Sequence, residues 1–153
     1  MARLEDIDAL MREELIELEC PEFDDDPWVT APALADCRVA VISTAGLQRR
    51  GDRPFELGTA DYRVILGETV AEDLIMSHVS TNFDRAGYQQ DMNVCFPIDR
   101  LNELAEEGVI GSVAKFHYSF MGATEPEEME APTRQLAGLL KADDVNAVLL
   151  VPI

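Results

Sequence analysis

Residues 37–44, CRVAVIST, decide the fold class. The run is continuous, apolar and rich in β-branched side chains. That is the pattern of a strand covered on both faces, and such strands belong to parallel sheets flanked by helices. The chain downstream follows the same logic. Residues 62–66 (YRVIL) and 74–79 (LIMSHV) read as short strands, 109–120 as a longer one, and 145–153 (VNAVLLVPI) as a last apolar one. A helix is expected from Pro97, with Ile98, Leu101, Leu104 and Ala105 on one face and Gly108 as its stop. Another is expected from about Glu125 to Lys141, with Met129, Leu136, Leu139 and Leu140 inward. Thr124 with Glu127 forms a capping-box pattern ahead of it, and Pro132 is expected to bend or interrupt it. About five strands and three helices, alternating in the second half, argue for an α/β three-layer sandwich with a mainly parallel sheet.

Upstream of the first strand, residues 4–19 read as an amphipathic helix. Leu4, Ile7, Leu10 or Met11, Leu15 and Leu18 supply its apolar side, docked on the sheet or on a partner subunit. Residues 20–34, CPEFDDDPWVTAPAL, break regular structure with three prolines and an Asp run, and Phe23 and Trp28 are expected to pin this arm to the body. The organisation is therefore an N-terminal helix and acidic arm (1–35) followed by one α/β domain (36–153). The 153 residues carry a net charge of −18, with two lysines, Lys115 and Lys141, against thirty acidic residues. Such a surface repels phosphate backbones and anionic lipids, which argues against nucleic-acid and membrane partners. Low Lys beside ten Arg is also the composition of a protein adapted to high internal salt. No apolar run approaches the roughly 20 residues that span a bilayer. The charged N-terminus is not a signal peptide, so a cytoplasmic protein is expected. Cys20, Cys37 and Cys95 show neither disulfide nor zinc-site spacing, so no metal is expected.

The chemistry-bearing stretch is residues 76–100, MSHVSTNFDRAGYQQDMNVCFPIDR. It is too irregular for one strand or helix, and long loops in compact domains tend to be functional. His78 and His117, the two histidines, fall at predicted strand ends, where an imidazole can move a proton near neutrality, and Asp84 beside Arg85 can orient one of them. A hydrogen-bonded structural histidine is the commoner use of such positions. Ser80, Thr81, Asn82 and Arg85 are candidate substrate contacts, though polar loop residues also fasten their own backbone. A further loop, residues 44–55, follows the first strand, where open α/β sheets place ligands. Its Arg49, Arg50 and Arg53 can grip a carboxylate, or pair with the chain's own acids, for instance Asp52. It carries neither glycine-rich phosphate-binding pattern. Residues 93–96 read as a short extended piece, which makes Cys95 a strand residue rather than a nucleophile.

Residues 77–101 resemble the selenoprotein B subunits of glycine, sarcosine, betaine and D-proline reductases and their shorter bacterial relatives. The resemblance extends to VISTAGLQRRGDRPF (41–55), GVIGSVAKFHYSFMGA (108–123) and VNAVLLVPI (145–153). It implies reductive cleavage of a C–N bond in a small amino-acid-type substrate by a selenolate or thiolate, within a complex of several subunits. It also implies that the Sec or Cys motif lies just after a strand like VNAVLLVPI. The sequence ends at Ile153, where that motif would begin, so the chain is expected to be inactive alone, either truncated, with a UGA codon read as stop as one route, or a natural short relative. An exposed apolar sheet face, and with it a homo-oligomer, is expected in that case. Two other readings stand beside this one: a non-catalytic binding or assembly module that uses residues 76–100, and an unrelated enzyme with His78 and Asp84 as acid and base.

Overall fold

A computed structural model of the chain describes residues 3–17, 29–80 and 85–153. In chain order the elements are α1 (Ala9–Glu17), β1 (Arg38–Ser43), β2 (Leu47–Arg49), β3 (Arg63–Leu66), β4 (Leu74–Met76), α2 (Ala86–Gln90), α3 (Ile98–Glu106), β5 (Ser112–Val113), β6 (Phe116–Ser119), α4 (Pro126–Ala142) and β7 (Ala147–Val151). Single 3₁₀ turns link several of them.

β1 is the spine of a five-stranded sheet. β7 runs parallel along one side of it, from Ala147 opposite Val39 to Val151 opposite Ser43. The other side is shared by two parallel pieces, β5 against Arg38–Val39 and β6 against Ile42–Ser43. β3 then pairs with β6 in antiparallel register. The expected α/β class holds, with parallel pairing around β1 and an antiparallel strand beyond it. β2 and β4 form a separate two-stranded antiparallel ribbon.

Alternation along β1 sends its side chains to two cores. Val39 and Val41 pack with Phe96, Ile98 and Leu101 around α3, while Ile42 packs with Tyr118, Phe120 and Leu136 around α4. One helix therefore covers each face, which gives three layers. Tyr62 stands edge-on to Tyr118 at 5.5 Å in the second core.

The predicted single strand over 109–120 is broken at Ala114–Lys115, and side chains repair the ladder there. Arg38 donates to the Asp143 carboxylate at 2.6 Å and to the Asp143 and Val113 carbonyls. The same carboxylate accepts the N–H groups of Lys115 (2.7 Å) and Phe116 (3.3 Å). Burial alone would raise the Asp143 pKa, but Arg38 and these two amides hold it below the usual carboxylate range.

Several local expectations are corrected. The expected apolar face of the first helix does not form: Leu4 and Ile7 precede α1, which begins at Ala9, and Leu4, Leu10, Met11 and Leu15 are exposed. Within the irregular stretch, residues 86–90 form the short helix α2, and 92–94 form a 3₁₀ turn capped by Asp91, which accepts the Asn93 N–H. Cys95 therefore sits in a buried turn, not a strand. Thr124 does not cap α4; its hydroxyl donates to the Thr59 carbonyl at 2.9 Å, and Glu125 holds the cap position. α4 runs unbroken through Pro132, because Glu128, whose carbonyl loses its partner, is exposed to water. Leu139 is exposed rather than inward. Leu18, Cys20, Phe23 and Trp28 lie outside the described residues. No helix among the described residues is long and apolar enough to cross a membrane.

Asp143→Ala would strand two amides and a half-buried guanidinium, at a cost of about 3 kcal/mol. The urea midpoint should fall with the slope unchanged, whereas Leu139→Ala, on the exposed side of α4, should shift it by less than about 0.5 kcal/mol.

Candidate functional site

The carboxyl ends of β1 and β7 meet three loops. Past Ser43 the chain turns through Thr44, Ala45 and Gly46, and Ala45 bridges Met121. Gly46 has φ +64°, and its N–H donates to the Phe120 carbonyl at 2.8 Å while its carbonyl accepts the Ser77 N–H at 2.9 Å. A Cβ on Gly46 would fall 2.9 Å from the His78 backbone, so only glycine lets the two segments lie this close. The Ser77 hydroxyl reaches the Gln48 side chain at 2.8 Å and accepts the Phe55 N–H at 2.9 Å, which ties the β2–β4 ribbon beneath.

β7 ends on the other flank of the same turn. The Ile153 N–H donates to the Thr44 hydroxyl at 2.8 Å, and the Gly122 N–H donates to the Thr44 carbonyl at 2.9 Å. A Cβ on Gly122 would stand 2.5 Å from the Ile153 carbonyl oxygen. The last strand thus delivers the chain to Thr44, two residues from the glycine that packs on His78.

His78 is buried, with Nδ1 accepting the Ser80 N–H at 3.1 Å, which puts the proton of the neutral ring on Nε2. Burial first, and the Arg85 charge second, push its pKa down. Arg85 donates to the His78 carbonyl (2.8 Å) and the Ser80 carbonyl (2.6 Å), clamping the start of the polar stretch. A neutral, fixed imidazole at the carboxyl edge of a sheet can donate an Nε2–H hydrogen bond to an anion there. A cavity of about 270 Å³ lies farther along the stretch, beside Tyr88, Gln89 and Gln90.

The other sequence candidates are placed differently. Thr81, Asn82 and Asp84 lie outside the described residues. Arg53 pairs with Asp61 at 3.0 Å, and Asp61 also holds Arg63 at 2.9 Å. Arg50 donates to the Glu72 carbonyl, and Arg49 is exposed at the end of β2. His117 is wholly buried mid-sheet, with Nδ1 accepting the Val41 N–H at 2.9 Å and its ring edge-on to Phe96. Its place is in the frame of the sheet, away from the carboxyl edge. Cys95 is no nucleophile in its resting state, since burial pushes its thiol up to about 11. Among the described residues no three His, Cys, Asp or Glu side chains gather as metal ligands. Thr44, Gly46 and Gly122 were not singled out from sequence. Gly46 had a signal, a glycine directly after a buried strand, but Gly122 and Thr44 matter through Ile153, far away in the chain.

Residues 10–152 match the family model of the glycine/sarcosine/betaine reductase selenoprotein B. The chain is 35% identical over 120 residues to the D-proline reductase subunit gamma of Acetoanaerobium sticklandii, covering 76% of this chain and 49% of that one. It is 28% identical over 142 residues to the betaine reductase complex component B subunit beta of Peptoclostridium acidaminophilum, covering 88% and 32%. The glycine reductase complex component B subunit gamma of Symbiobacterium thermophilum is likewise 28% identical over 142 residues, covering 88% and 33%. The chain thus spans from a third to about half of the length of these relatives. No solved structure matches it.

Burial sets the pH response of this frame. The His117 pKa is lowered from 6.5 to about 4, chiefly by desolvation, with Asp143 and the Ala114 carbonyl pulling weakly the other way. As pH falls below 6.5 the unfolded chain takes up a proton that the folded chain refuses, so stability is lost between pH 6.5 and 4, by about 2 kcal/mol at pH 5. Urea midpoints at pH 7 and pH 5 should differ accordingly, and His117→Gln, whose side-chain oxygen can still accept from Val41, should remove most of that difference.

Proposed function

Because the chain belongs to the glycine/sarcosine/betaine reductase selenoprotein B family, we propose that it forms the α/β portion of a reductase subunit. In this reading it works with further subunits to cleave the C–N bond of a small amino-acid-type substrate. The observation that carries the reading is the seat of β7, hydrogen-bonded along the whole of β1 and fastened at Ile153 to Thr44. A selenocysteine or cysteine just beyond such a strand would emerge at the carboxyl edge, beside Gly46 and His78, where open α/β sheets carry out their chemistry.

A selenolate or thiolate there would supply the nucleophile and the electrons. The residues of this chain do the rest of the work in this reading. His78 offers an Nε2–H hydrogen bond to the substrate, with its tautomer fixed by the Ser80 N–H. Arg85 holds the loop that carries both. Gly46 and Gly122 keep the edge free of side chains. The names of the relatives, each a subunit of a D-proline, betaine or glycine reductase, support partner subunits and an amino-acid-type substrate. The apolar surface left open on β7, where Val148 is 40% and Leu150 68% exposed, supports a covering partner subunit. The cytoplasm is the compartment this reading implies.

With a dithiol as reductant, the 153-residue chain alone should release no amine or proline-derived product from glycine, sarcosine, betaine or D-proline. A complex in which the Sec- or Cys-bearing segment and the other subunits are supplied should do so. In that complex His78→Ala should lower kcat by about 10²-fold in a preparation that circular dichroism shows to be folded. Turnover by the isolated chain, or full turnover in a folded His78→Ala complex, would sink the proposal.

A further inference from the structure

The residue before His78 is held by a buried amide. Gln48 lies on β2 and is 3% exposed. A leucine or methionine would fill that place without the cost of taking an amide out of water. Both ends of the amide have a partner. Nε2 donates to the Asp52 carbonyl at 3.3 Å, which turns Oε1 toward the Ser77 hydroxyl at 2.8 Å.

The Ser77 hydroxyl has one proton and two acceptors in reach, Gln48 Oε1 at 2.8 Å and the Gly46 carbonyl at 3.3 Å. Only the first falls within the usual O–H···O range of about 2.5–3.0 Å, so it takes the proton. The hydroxyl oxygen then accepts the Phe55 N–H at 2.9 Å. The Gly46 carbonyl is left to the Ser77 N–H at 2.9 Å. That bond extends the β2–β4 ladder one step past the Leu47–Met76 pair and stands next to His78. A Cβ on Gly46 would meet the His78 N and Cα at 2.9 Å, so the two backbones touch here. The Ser80 N–H and Arg85, which also hold His78, belong to its own loop. Ser77 instead ties His78 to the ribbon and, through Gly46, to the end of β1.

We propose that Gln48 is a positioning residue for His78. By accepting the Ser77 hydroxyl it keeps the Gly46 carbonyl for the ladder, and so fixes where the His78 ring stands at the carboxyl edge. That this ring meets a substrate rests on the reductase reading; its placement by Gln48 does not.

The ring ¹⁵N NMR signals of His78 and His117 in the full chain test this. His117 is the control, since its bond goes to Val41 in the middle of the sheet. Gln48→Met, of equal length but without the carbonyl acceptor, and Ser77→Ala should each displace or split the His78 signals and leave those of His117 unmoved. Ser77→Thr, which keeps the hydroxyl, should retain the parent pattern. In the reductase complex Gln48→Met should lower kcat by about tenfold with KM within about twofold, as for a displaced group. His78 signals unchanged in both Gln48→Met and Ser77→Ala overturn the proposal. So do equal changes at both rings, which mark a merely structural role. If His78→Ala loses turnover while Gln48→Met keeps it, the positioning falls and the reductase reading stands. If Gln48→Met moves the His78 signals while His78→Ala turns over fully, the reductase reading falls and the positioning stands.

Discussion

The hydrogen bond from the Val41 N–H to the His117 imidazole is the contact on which the sheet turns. Opposite the middle of β1 the neighbouring strand is interrupted, and a buried amide there would have no carbonyl to meet. An aromatic nitrogen takes the carbonyl's place. On the far side of the interruption the Asp143 carboxylate accepts the two amides that the break frees, and Arg38 neutralises it. A sheet whose ladder is completed by side chains depends on the protonation states of those side chains in a way that an uninterrupted ladder does not.

Much of this could be read from the residues. The two-sided burial of 37–44 gave the layer architecture, because only a strand covered on both faces tolerates such a run. α3 was legible from Ile98, Leu101 and Leu104 at helical spacing. What could not be read depends on partners distant in sequence. The break at Ala114–Lys115 has no local signature, since Asp143 and Arg38 that repair it lie 28 and 77 residues away. His117 looked like a strand-end imidazole because its neighbours say nothing of Val41. The clustered arginines left two uses open, a carboxylate grip or pairing with the chain's own acids, and their partners, Asp61 for Arg53 and the Glu72 carbonyl for Arg50, could not be read from the cluster itself. The expected face on α1 was overcounted, because apolar content without a stripe does not make a docking surface.

The family gives these features a common setting. Longer relatives, of which the matched part is about a third to a half, share this part, and in this chain the last strand is bonded to the first along its full length. The carboxyl edge is built mostly of backbone and small side chains, with His78 and Arg85 among its charged or ionisable members. Acid residues are spread over the exterior, as on α4, whose first turn carries Glu127 and Glu128, while the interior near Asp143 is neutralised pair by pair.

The clearance at Gly122 ties positions that the sequence keeps far apart. The strand end rests against a glycine through its carbonyl and against Thr44 through its amide. In an evolving lineage, a methyl gained at 122 would have to be answered by a change at 44 or 153, and the three sites should drift together rather than singly.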